Sequence, residues 1–251
     1  MNRSGEALIR VENLTAAYGD EVVLQDVSLE VYAGEVFAIL GGSGCGKSTL
    51  LRHMVGLHEP AAGRVLIGGR DICRADDAQR RRILRSIGVT YQSGALFGSM
   101  TLLENVRFPL EELTELPHEA VDTIAMTKLR LVGLAEYAES PPAEVSGGMQ
   151  KRAAIARAMA LDPEILCMDE PSSGLDPVTS AELDQLILEL ARALSVTFVV
   201  VSHELASIYT IADRVAMLDK QARTIIATGT PQELREHSED ERVRRFLERN
   251  V

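Results

Sequence analysis

The residues of this sequence that can do chemistry fall in separate places. The most telling is Gly41-Gly42-Ser43-Gly44-Cys45-Gly46-Lys47-Ser48-Thr49. Glycines at these spacings let the backbone curl so that successive N–H groups point at one anion. Lys47 then stands where it reaches β- and γ-phosphates, and the Ser48 hydroxyl where it ligates Mg²⁺. The stretch reads as a nucleoside-triphosphate site. A second place is Asp169-Glu170, which closes the apolar run Ile165-Leu166-Cys167-Met168. A hard oxygen at a buried strand end suits Mg²⁺, a role for Asp169. Glu170 beside it can polarise an attacking water as a general base. A third is Val145-Ser146-Gly147-Gly148, a glycine turn opening a helix and so another anion site. A His closes the apolar stretch before it, at Ser202-His203.

These groups need rigid elements behind them. Val36–Leu40 reads as a buried strand ahead of the glycine loop, and Leu50–Gly56 as the helix after it, whose N-terminal dipole favours phosphate. Ile165–Met168 and Val196–Val201 are continuous apolar runs of the parallel, doubly covered type. Leu8–Leu14 and Val27–Val31 alternate apolar and polar like half-buried strands, with a turn at Tyr18-Gly19-Asp20 between them. Gly63–Gly69, Gly88–Tyr91, Arg214–Leu218 and Thr224–Ala227 add further strands. Helices are expected over Asp77–Ser86, whose Arg80, Arg81, Arg82 and Arg85 form a solvated face pairing with nearby acids, and from Asp176-Pro177 to about Leu194. Between residues 93 and 160 the β-branched runs disappear. There Thr101–Glu104 is a capping box, and Pro117 suits the first turn of a helix reaching about Val132. Thr230–Glu233 is another capping box, and Glu239–Arg249 places Val243, Phe246 and Leu247 on one helical face with Ser238 and Glu241 as its cap. The expected fold is α/β: a P-loop NTPase core over about 1–92 and 161–235, a helical subdomain inserted at about 93–160, and a helical tail over about 238–251.

Composition narrows the function. The chain has 251 residues, 46% of them hydrophobic, suiting one α/β domain with an insertion. Its longest apolar runs are far short of the ~20 residues a spanning helix needs. Met1–Arg10 lacks the apolar core of a signal peptide, so cytoplasmic residence is expected. The net charge of −11 argues against nucleic acid and anionic lipid as direct partners. Three widely separated cysteines form neither a disulfide framework nor a metal knot. Cys45, at a helix N-terminus beside Lys47, is expected to be an accessible thiol biased to thiolate and protected by ATP.

The phosphate loop, Val145–Gln150, Asp169-Glu170 and Ser202-His203 together resemble the ATPase subunits of ABC transporters over nearly the whole length. The resemblance implies a cassette that binds ATP and Mg²⁺ and pairs head to tail as a homodimer, each ATP held between one chain's loop and the other's signature. It assigns Tyr18 to adenine stacking, Gln92 to Mg²⁺ and the attacking water, and Ser146-Gly147-Gly148 to the partner's γ-phosphate. Ser173-Gly174-Leu175-Asp176 matches the dimer-crossing loop, and His203 the switch histidine. The signature departs from the usual Leu-Ser-Gly-Gly-Gln at Val145 and Met149. Gln92–Phe97, Met149 and Asp240–Leu247 further resemble the ATPases of bacterial Mla/Mce phospholipid transport systems. That implies permease partners, a small accessory protein at the tail, and a place on the cytoplasmic face of the inner membrane. Alternatives are an ABC transporter for another substrate, or a soluble ABC ATPase, whose usual tandem cassettes this chain lacks. Leu96 and Phe97 are expected to line the groove for a permease helix. The tail is expected either to fold back on its own chain or to dock on a neighbour.

Overall fold

The computed structural model describes residues 7–248; residues 1–6 of the N-terminal reading and residues 249–251 of the expected tail lie outside the described residues. The chain runs through β1 (Ala7–Tyr18), β2 (Glu21–Tyr32) and β3 (Val36–Leu40) into α1 (Lys47–Met54). β4 (Ala62–Ile67), β5 (Arg70–Asp71), α2 (Asp77–Arg85) and β6 (Ile87–Thr90) follow. Then come α3 (Leu102–Leu113), α4 (His118–Leu131) and α5 (Gly147–Ala158). The last part is β7 (Ile165–Asp169), α6 (Pro177–Leu194), β8 (Thr197–Val201), α7 (Leu205–Ile211), β9 (Arg214–Asp219), β10 (Thr224–Gly229), α8 (Pro231–His237) and α9 (Glu241–Glu248).

One sheet is antiparallel, in the order β2-β1-β4-β5; the other has the order β10-β9-β3-β8-β7-β6, parallel except for β10 at its edge. Every residue of β3, β7 and β8 is buried, because both faces of the parallel sheet are covered. Alternate residues go to different cores. Phe37, Ile39, Cys167, Val199 and Val201 pack with the antiparallel sheet and α1. Leu166, Met168, Phe198 and Val200 pack with α3, α4, α5 and α6, and Ala38 and Leu40 with α7, α8 and α9. The C-terminal ends of β3, β8 and β7 are thereby fixed side by side, where ligands of parallel sheets bind. Among the described residues no helix is long and apolar enough to cross a membrane.

Several expectations change. β1 and β2 are longer than their alternating stretches, because Asn13 and Asp26 take positive φ (48° and 52°) and pair at 2.6 Å. Register shifts around them break the alternation while the strands stay paired. Arg80 and Arg85 of α2 donate to the carbonyls of Gly56 and Leu113 rather than to acids. Pro117 precedes α4 as its cap residue instead of lying in the first turn. Both capping boxes form, at Thr101–Glu104 and Thr230–Glu233. At α9, however, the Asp240 carboxylate accepts the Arg242 N–H at 2.9 Å, and Ser238 ends α8. Val243 and Leu247 are fully buried in the chain's own core, so α9 folds back on its own chain.

Candidate functional site

The loop from Gly41 to Gly46 leaves the central strand β3 and opens α1. Gly41 has φ +148°, and a Cβ there would meet the Leu218 carbonyl and the Cys45 Sγ at 2.5 Å. Gly46, at φ +100°, lies so close to the Leu24 side chain that a Cβ would come within 2.7 Å of it. Both positions therefore require glycine. Lys47, 8% exposed, donates to the carbonyls of Gly41 (2.9 Å) and Gly42 (3.3 Å), and its Nζ is 4.0 Å from Glu170 Oε1. The Ser48 hydroxyl donates to Asp169 Oδ1 at 2.8 Å, so two of the three expected Mg²⁺ ligands are in contact, while the third, Gln92, bonds elsewhere.

Asp169 is the last residue of β7, and Glu170 follows it at φ +49°. This left-handed turn separates the two carboxylates: Asp169 goes to Ser48, Glu170 toward Lys47 and His203. Glu170 is anchored by its N–H donating to Val201 at 2.8 Å, and its Oε2 is 2.7 Å from His203 Nδ1. Against an ionised carboxylate, Nδ1 is the donor of this bond. A cavity of about 630 Å³ is lined by the loop, Lys47, Ser48, Thr49, Gln92, Glu170 and His203, and also by Leu205 and Phe246. The last two escaped the sequence reading. Leu205 carried no signal, and Phe246 was grouped with the core-facing Val243 and Leu247.

Other expected site residues lie elsewhere. Cys45 is 2% exposed, and burial pushes its thiol up although Lys47 acts in the opposite direction. The expected accessible thiolate is thus overturned, because the side chain packs beneath Gly41 instead of facing the cavity. Tyr18 is exposed, its ring edge-on to His58 at 6.0 Å, and does not line the cavity. Ser146 caps α5, its hydroxyl accepting the Met149 N–H at 3.3 Å. It borders a separate, shallower cavity with Gly148, Tyr137, Arg152 and Thr179. Asp176 caps α6, accepting from Val178 (3.0 Å), Thr179 N–H (3.1 Å) and the Thr179 hydroxyl (2.5 Å). The Thr179 bonds above all hold its carboxyl below the usual range.

Gln92 links the two regions. Its side-chain amide donates to Ser173 Oγ at 3.1 Å, and its carbonyl accepts from Lys151 of α5. Arg157, also on α5, donates to the carbonyls of Ala95 (2.7 Å) and Gly94 (3.0 Å), and its guanidinium lies 5.7 Å from the Phe97 ring centre. Buried Asn105 ties Phe97 to α3 from both its N–H and its carbonyl. Phe97 with Tyr91, Phe108, Pro109 and Leu113 lines an apolar groove of about 440 Å³. Leu96 does not line it as expected; it packs into the helical core.

Among the described residues no group of three or more His, Cys, Asp or Glu could hold a metal alone. Mg²⁺ needs no such cage, since one or two protein oxygens with substrate phosphates suffice. Ser48 and Asp169 have that chemistry.

Known proteins resemble this arrangement. Residues 24–173 match the ABC transporter family profile. The chain is 42% identical over 240 residues to the intermembrane phospholipid transport system ATP-binding protein MlaF of Haemophilus influenzae, covering 96% of this chain and 90% of that protein. It is 42% identical over 239 residues to the probable ribonucleotide transport ATP-binding protein mkl of Mycobacterium leprae, covering 95% of this chain and 68% of that one. The dimeric post-hydrolysis structure of the ATP-binding cassette MJ0796 bound to ADP and Pi superposes with a TM-score of 0.79 at 32% identity, covering 88% of this chain and 98% of that one.

Proposed function

The chain belongs to the ABC transporter family of ATP-binding cassettes, an ATPase family, and from that premise we propose that it is the ATP-hydrolysing subunit of a phospholipid transport system. The observation that carries the hydrolytic part is the contact of Ser48 with Asp169 beside that of Glu170 with His203, on adjacent strand ends. The phospholipid cargo rests on the likeness to MlaF, which spans nearly all of both chains. The equal identity to mkl favours a second reading, transport of another substrate, but that match leaves about a third of the relative uncovered.

In this reading the chain is a single ATPase domain, the helical part over about 93–160 inserted into its α/β core. The N–H groups from Gly41 to Thr49 hold the phosphates, Lys47 turns from its loop carbonyls to them, and Tyr18 stacks on adenine. Mg²⁺, held by Ser48 and Asp169 with Gln92 beside them, would neutralise developing phosphate charge. Glu170 accepts the water's proton, while His203 holds the carboxylate in line through Nδ1 and, when its Nε2 is protonated as well, donates to the γ-phosphate. Ser146, Gly147, Gly148 and Asp176 serve the ATP of a second copy. The Phe97 groove receives a permease helix, which keeps the chain at the cytoplasmic face of the bacterial inner membrane. The exposed side of α9, with Glu241, Arg245 and Glu248, is what remains for an accessory protein.

The test is purification of the tagged chain from solubilised membranes. Co-purification of a permease together with phospholipid, and an ATPase rate that responds to it, is the expected result. A permease without lipid but with another solute bound favours the second reading. Phe97→Asp should abolish recovery of the permease while nucleotide binding persists; unchanged recovery removes the groove from this role.

A further inference from the structure

The helix α9 does something a merely space-filling tail would not. Val243 and Leu247 are fully buried against Leu205, Val215 and Leu234, which suffices to seat it. Phe246, on the same side by helical spacing, is only partly buried and reaches the cavity lined by the phosphate loop, Glu170 and His203. Leu205, in the first turn of α7 and two residues after His203, lines the cavity with it. Several ties set this position. Arg242 pairs with Asp219 at 2.9 Å, at the end of β9, directly after the Leu218 carbonyl that underlies Gly41. The Tyr209 hydroxyl of α7 donates to the Leu247 carbonyl at 3.3 Å. Arg244 donates to the Ser238 carbonyl. The helix that carries Phe246 is therefore tied both to the hairpin under the phosphate loop and to the helix that follows His203.

We propose that Phe246 is a positioning residue for ATP hydrolysis: with Leu205 it forms an apolar wall that keeps bulk water from the Glu170–His203 pair while ATP is bound. A hydrogen-bonded carboxylate and imidazole act more strongly where the medium around them is less polar. A wall on this side also limits the water that competes with the one held by Glu170. The inference rests on the ATP-hydrolysing reading, and its test separates the two.

The chain contains no tryptophan, so Phe246→Trp introduces a single tryptophan, excited selectively over the five tyrosines, at the cavity. In the full-length variant, titration with Mg²⁺ and a non-hydrolysable ATP analogue should change the emission with the midpoint found by calorimetry on the same sample. In parallel, Phe246→Ala should lower kcat about five- to tenfold with the KM for ATP within about twofold, and Phe246→Leu should restore most of the rate. Gln232→Ala, on the exposed face of the neighbouring α8, should turn over normally. Tryptophan emission that stays constant while calorimetry reports saturation would overturn the proposal. So would wild-type kcat in Phe246→Ala with only a lowered melting temperature, which makes Phe246 a core filler. An unsubstituted chain that binds no nucleotide would instead overturn the ATP reading beneath it.

Discussion

The phosphate-loop side and the Ser146 side of the chain are built alike and finished differently. Each is a glycine-containing turn that opens a helix, α1 or α5. Around the first, three parallel strands deliver Lys47, Ser48, Glu170 and His203 into one cavity, with Asp169 bonded to Ser48 behind it and Glu170 to His203. Around the second there is only a shallow cavity, where the Ser146 hydroxyl caps its own helix. On the proposed function, one side binds and acts, and the other offers donors to something brought to it. Such asymmetry suits two copies facing head to tail, so that each copy's donor side completes the other's loop.

Substitutions should separate the two sides, beginning with the largest effect. Glu170→Gln should lower turnover about 10²- to 10⁴-fold while ATP affinity is kept, because the base is lost and the phosphate donors are not. Single-turnover and binding measurements on one preparation check this. Ser146→Arg should cost about 10²-fold in turnover yet leave ATP binding to a single chain intact, whereas Lys47→Ala should lose the binding itself. Equal loss of ATP affinity in both would erase the distinction between the sides.

A fourth variant probes where the sides meet. α6, capped by Asp176, packs on α7, which follows His203, through Ser180 and Ser207 at 3.4 Å. Asp184 of α6 is buried there, and burial raises its carboxyl to about 6, with Glu204 adding to the rise and a Ser207 hydrogen bond opposing it. A carboxyl raised on folding stabilises the protein fully below its unfolded pKa, near 4, and this contribution is lost as pH rises through 6. Asp184→Asn should therefore flatten the fall in stability between pH 4 and 6 and gain on the order of 2 kcal/mol at neutral pH. Denaturant melts at both pH values check it; an unchanged slope rules out Asp184 as its source.

The smallest expected effect concerns the cysteines. Cys45 and Cys167 are both buried, and burial pushes the Cys167 thiol up to about 12. Cys73, partly exposed, should react first with maleimide, and Cys45 slowly whether or not ATP is bound. Fast, ATP-sensitive labelling of Cys45 would show that its thiol reaches the cavity.

Much of this was legible in the sequence because the deciding interactions are local or periodic. The apolar runs at β3, β7 and β8 declare strands covered on both faces, and Thr101–Glu104 and Thr230–Glu233 declare helix starts through side chains only three residues apart. What depends on distant partners was not legible. The direction of Cys45 is set by Leu218 and Gly41, and the length of β1 by the Asn13–Asp26 pair. The reach of Phe246 into the cavity is set by Asp219 and Tyr209. None of these contacts has a periodicity to betray it.

The head-to-tail account is tested most directly by the mass of the full-length Glu170→Gln chain in solution, measured by light scattering with and without Mg²⁺ and ATP. The account predicts a monomer without nucleotide, a stable dimer with ATP, and a monomer again when Ser146→Arg is added. A Glu170→Gln chain that remains monomeric at saturating ATP, or that dimerises just as well with Ser146→Arg, would contradict it.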